Sequence, residues 1–155
     1  VEETAGRSVR LVRIGLRRNE EAPLSRPPWR DGFFVTADGT KPAREWLLDL
    51  PAKPAAEVIA VVKAVRDAPP PAFAGGGKRE AMHGEMAGIY EVRCRQGGQP
   101  TVLFCLHDRA HPDGPALVML DGDSKPNRTA MPASVYRRVR ERRDAYQTSR
   151  SVDFS

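Results

Sequence analysis

Glu91 and Arg93 lie two residues apart in the string IYEVRC (89–94). In an extended chain such residues point the same way, so a carboxylate and a guanidinium share one face. A guanidinium holds two non-bridging oxygens of a phosphate at once, which an ammonium cannot do. His83, in the loop before this string, is the side chain most readily used as base or acid near neutral pH. Glu85 is a weaker second base there, and Lys78 and Arg79 can grip a polyanion backbone. Lys125 and Arg128 follow an apolar run, and their charges can offset charge developing on a phosphate. Tyr136 can stack on a base or take part in proton transfer, and Arg137 and Arg138 beside it can bind RNA. Each has a plainer alternative: a structural Glu–Arg pair, a surface loop histidine, an ordinary basic turn, a solvated helix face.

The elements that must position these groups are legible in part. FFVT (33–36) is a short apolar run and predicts a strand. Ala37-Asp38-Gly39-Thr40 supplies a turn, and Pro42 opens a helix carrying Ala43, Trp46, Leu47 and Leu50 on one face. Pro51 and Pro54 break it. A second helix spans about Ala55 to Asp67, with Val58, Val61, Val62 and Val65 in a narrow apolar stripe. The Pro- and Gly-rich stretch 68–78 predicts a loop. Then come three strands, 89–95, 101–107 and 116–122, the first two joined by a hairpin turn at 96–100. The middle strand is apolar on both faces and therefore central. Pro132 opens a last helix to about Gln147, with Val135, Val139 and Tyr146 as its packed face and Arg137, Arg138, Arg140, Arg142 and Arg143 making it basic. The expected fold is α+β: an antiparallel sheet of about four strands, two N-terminal helices packed on it, and a C-terminal helix.

Bulk composition bounds the rest. A chain of 155 residues, 40% hydrophobic and 29% charged, suits one domain with an appended segment. Residues 1–28 form that segment, a basic extension with six arginines against four glutamates, and the domain runs from 29 to 150. No run reaches the roughly 18–20 apolar residues of a membrane span, and the first residues lack the apolar core of a secretory signal. A cytoplasmic protein is the expectation. Cys94 and Cys105 read as small buried hydrophobes rather than a disulfide or a zinc site. A net charge of +5 points to a polyanionic partner.

The strings DGTKPAREWLLDLP, MHGEMAGIYEVRCR, TVLFCLH and LVMLDGDSKPNRTAMPASVYRRVRERRDAY, in this order and spacing, resemble the RelE/ParE toxin superfamily, and within it the HigB-like, phage-derived branch. The likeness covers Trp29 to Tyr146. Arg128 stands where the family turn usually has a lysine, and the loop 107–115 is longer than usual. The resemblance implies a RelE-like fold and a type II toxin–antitoxin system. It implies an endoribonuclease that cuts messenger RNA on the ribosome by attack of the ribose 2′-OH, without metal or cofactor. It also implies a neutralising antitoxin with a helix-turn-helix domain, and no membrane partner. The catalytic candidates are then Arg93, Lys125, His83, Glu91 and Tyr136, and the RNA-binding ones Lys78, Arg79, Arg128, Arg137 and Arg138. Two rivals use the same residues differently: a ParE-like inhibitor of DNA gyrase, and a non-catalytic basic module that only docks on nucleic acid.

Overall fold

The computed structural model describes residues 28–69, 79–94, 100–124 and 131–154. The elements run β1 (Arg30–Phe34), α1 (Pro42–Asp49), α2 (Ala52–Asp67), β2 (Arg79–Ala81), a 3-10 turn (Gly84–Met86), β3 (Ile89–Cys94), β4 (Thr101–Asp108), β5 (Ala116–Ser124), α3 (Ala133–Ser149) and β6 (Val152–Asp153). The α+β class holds. The sheet has six strands in the order β2-β3-β4-β5-β1-β6 rather than four, and it is mixed: β1 runs parallel to β5, with Arg30 opposite Ala116 and Phe33 opposite Met119. The meander β3-β4-β5 is antiparallel as expected. β4 is its central strand, with Thr101 through Leu106 all buried.

The sheet carries helices on both faces. On one side α1 and α2 bury Ala43, Leu47, Val58, Val61, Val62 and Val65 against Val92, Leu103, Leu117 and Met119. On the other, Val135, Val139 and Tyr146 of α3 pack on Phe34, Ile89, Phe104, Val118 and Leu120. The alternation within each strand makes this possible, because successive residues feed opposite cores. Cys94 and Cys105 are both buried. Both lie in the α1–α2 core, and Cys105 stands opposite Tyr90 whereas Cys94 stands opposite Thr101.

Four expectations need correction. β1 starts at Arg30 and ends at Phe34, not at Thr36, because its pairing with β5 and β6 sets its limits. Pro54 does not break a helix: α2 begins at Ala52, and Pro54 sits in its first turn, where a missing N–H costs nothing. Arg79–Ala81 is a strand, not loop; it pairs with β3. The fold also continues past residue 150, where Val152–Asp153 pairs with β1. Gly32 makes room for that tail, since a Cβ there would stand 2.5 Å from Val152 Cγ1. Gly122 of β5 is covered in the same way on the opposite face by the Trp46 indole, 2.1 Å from where a Cβ would lie. The extension 1–27, the hairpin turn 96–99, Lys78, Lys125 and Arg128 lie outside the described residues.

Candidate functional site

The register across β2, β3, β4 and β5 lines up charged side chains on the face beneath α3. One row runs Glu80, Glu91, Phe104, Asp121; the next holds Arg93, Val102 and Asp123. Directly paired residues share a face, so Glu91 and Arg93 look toward α3, as their spacing demands. Glu91 is buried, whereas the Arg93 side chain is 42% exposed. The Arg93 guanidinium meets Glu80 on the outer side and Glu91 Oε1 at 3.7 Å on the inner side.

Tyr136, on the first turns of α3, completes the group. Its ring packs edge-on against Phe104, centroids 6.2 Å apart. Burial raises the Tyr136 pKa above the ordinary tyrosine value; the Glu91 charge adds to this, and Arg93 opposes it. The hydroxyl therefore stays neutral at physiological pH and remains a donor. A buried carboxylate, a half-exposed guanidinium and a neutral phenol thus share one corner. Together they can accept a proton, hold a phosphate and donate a proton.

Other candidates fall elsewhere. His83 is exposed and follows β2. The Met82 N–H bonds the Ile89 carbonyl, which sets His83 level with Gly88, five residues and roughly 17 Å along the strand from Arg93. His83 is not part of the corner. Arg79 opposes Val92. β5 ends at Ser124, opposite Thr101 and at the same end of the sheet as Arg93; Lys125 and Arg128 lie outside the described residues.

The basic helix is mostly spoken for. Arg138 Nε donates to Asp121 Oδ2 at 2.8 Å and Nη2 reaches Asp123 at 3.3 Å. Burial works against the Arg138 charge, but these two carboxylates more than compensate and raise its pKa. Arg142 also reaches Asp121, at 3.3 Å. Arg140 lies 3.4 Å from Glu85, and Arg143 Nη1 donates to the carbonyls of Glu85 and Ala87 at 2.8 and 3.0 Å. Arg137 alone among these five is exposed and has no ion pair among the described residues.

No protein-family model matches the chain, and no curated protein does either.

A second cluster, with no signal in the sequence pattern, lies at the other end of the sheet. Asp108 is buried and accepts from the Tyr146 hydroxyl at 2.6 Å, from Arg150 Nη1 at 2.5 Å and from the Ala110 N–H at 2.9 Å. His111, in the loop after β4, is buried. Its Nδ1 accepts from the Asp113 N–H at 3.1 Å, so its hydrogen is on Nε2, which donates to the Arg150 carbonyl at 3.2 Å. These groups lock the end of α3 to the loop after β4. No local spacing announces them, because Asp108 and Arg150 are 42 residues apart.

Proposed function

We propose that this chain is a RelE/HigB-type toxin, an endoribonuclease that cuts messenger RNA on the ribosome without a metal. The observation that carries this reading is the corner of Glu91, Arg93 and Tyr136 at the sheet end where β5 stops at Ser124. The order strand, two helices, three-strand meander, helix supports a RelE-like fold.

In this mechanism Arg93 exchanges Glu80 for the scissile phosphate and holds two of its non-bridging oxygens. Glu91 takes the proton of the ribose 2′-OH. The 2′-oxygen attacks phosphorus, the P–O5′ bond breaks, and Tyr136 gives its proton to the departing 5′-oxygen. The products are a 2′,3′-cyclic phosphate and a 5′-hydroxyl. Lys125 and Arg128 add positive charge as the phosphorane forms. A helix-turn-helix antitoxin neutralises the toxin, and co-expression with it restores growth.

Primer extension on a message in a translation extract tests the reading. The wild-type chain is expected to leave discrete cuts, and Arg93→Ala to lower the cutting rate by about a hundredfold while still co-sedimenting with ribosomes. Cutting by Arg93→Ala at the wild-type rate would overturn the assignment of this corner. An uncut message together with blocked DNA supercoiling would favour the gyrase-directed alternative.

A further inference from the structure

At the sheet end remote from Arg93, a hollow of about 360 Å³ is lined by Trp29, Arg30, Asp31, Arg66, Asp67 and Phe154. Arg30 stands in the row of Ala116 and Asp108, whereas Arg93 stands in that of Val102. Six residues of β4 separate the rows, about 20 Å. The volume falls within the range of roughly 300–1,000 Å³ typical of small-ligand sites.

Two kinds of wall meet there. One is flat and cationic: the Arg30 guanidinium lies over the Phe154 ring, 4.0 Å from its centroid, with the Trp29 indole lining the same hollow. The other wall is a pair of acceptors. Arg66 donates through Nη1 to Asp31 Oδ1 and through Nε to Asp67 Oδ1, both at 2.9 Å. Each carboxylate gives one oxygen to Arg66, and its second oxygen is an acceptor of hydrogen bonds. Arg66 reaches from α2 to hold the Asp31 carboxylate, and it pairs with the more exposed Asp67 beside it.

Flat cationic surfaces stack the planar faces of bases, and carboxylates accept hydrogen bonds from base N–H groups. A phosphomonoester, with nearly two negative charges, would be repelled by Asp31 and Asp67. An apolar peptide would strand four charged groups. A nucleotide within a strand carries a single phosphodiester charge, which Arg30 can meet, and a planar base with a donor edge. We propose that this hollow takes one nucleotide of a single-stranded RNA, its base stacked on the Trp29 and Arg30–Phe154 surfaces and its N–H edge held by Asp31 and Asp67.

The chain has two tryptophans, which makes indole NMR of the full-length protein a direct test. Trp46 rests on Gly122 on the α1 side and is the internal reference. The ¹⁵N-labelled chain is titrated with an RNA tetranucleotide, with guanosine monophosphate and with ribose 5-phosphate. The Trp29 signal is expected to shift saturably with the tetranucleotide, at least as tightly as with the free nucleotide, while Trp46 stays in place and ribose 5-phosphate does nothing. Arg30→Ala, with Trp46 unmoved, is expected to weaken tetranucleotide binding about tenfold. Three results would overturn the proposal: a response to ribose 5-phosphate equal to that of the nucleotides, binding of the free nucleotide without the tetranucleotide, or wild-type affinity in Arg30→Ala. The titration reads the hollow whether or not the chain cuts RNA, so it and the cleavage assay fail independently.

Discussion

At the scale of single residues, the most constrained group is the Asp108 carboxylate. Burial pushes its pKa up, but the Tyr146 hydroxyl, the Ala110 N–H and Arg150 outweigh this and hold it below the ordinary value. Tyr146 is shifted the other way: burial raises it, and the bond to Asp108 raises it further. The signs fix a pH window. A lowered carboxylate contributes stability above its unfolded pKa of about 4, lost as pH falls through the folded value. A raised phenol contributes stability below about pH 10, lost as pH rises through its folded value. Tyr146→Phe removes one of three donors from a buried charge, which costs about 1–3 kcal/mol. Thermal unfolding at pH 7 is expected to show a midpoint lowered by a few degrees. Between pH 9 and 11 the wild type should lose stability more steeply than Tyr146→Phe. Equal alkaline slopes would remove Tyr146 from the account.

At the scale of elements, what could be read from the chain and what could not divide along one line. The α2 stripe Val58, Val61, Val62 and Val65 and the doubly apolar β4 carry their burial in their own periodicity, so both were legible. β2 and β6 are three and two residues long, too short for a pattern, and are strands because β3 and β1 offer them partners. The parallel pairing of β1 with β5 is likewise a property of topology that no local spacing encodes. The candidate corner was half legible: alternation put Glu91 and Arg93 on one face, but nothing local could tell that Glu80 meets Arg93 or that His83 is carried away by the turn. That turn is held by α3. Arg143 grips the carbonyls of Glu85 and Ala87, and the Ala87 N–H bonds Gly84. In Arg143→Ala the turn should open more often. The Ala87 amide is then expected to exchange about tenfold faster, equivalent to about 1.4 kcal/mol from one lost charged interaction, while the Leu103 amide in β4 keeps its wild-type rate.

At the scale of the whole molecule, a net charge of +5 reports how many cations there are, not how many can meet a phosphate. α3 carries five arginines between positions 137 and 143, and a helix so composed reads as a nucleic-acid surface. Four of them are engaged: Arg138 and Arg142 with Asp121 and Asp123 of the sheet, and Arg140 and Arg143 with Glu85 and the carbonyls of Glu85 and Ala87 at the 3-10 turn. An arginine already held by a buried carboxylate releases no counterion when RNA arrives, because the carboxylate has already neutralised it. Binding to a single-stranded RNA weakens with salt at a log–log slope of about −0.7 for each phosphate neutralised. Arg137→Ala is therefore expected to flatten that slope by about 0.7 and leave the unfolding midpoint within a degree of wild type. Arg138→Ala should do the reverse. It strips the buried Asp121 of its nearest cation, lowers the midpoint by several degrees, and leaves the salt slope as it was. Titrating both variants against the same oligonucleotide at several salt concentrations separates the two roles. If Arg138→Ala flattened the slope as much as Arg137→Ala, the helix would present its whole basic face to RNA, and the ion pairs beneath it would be contacts the ligand displaces.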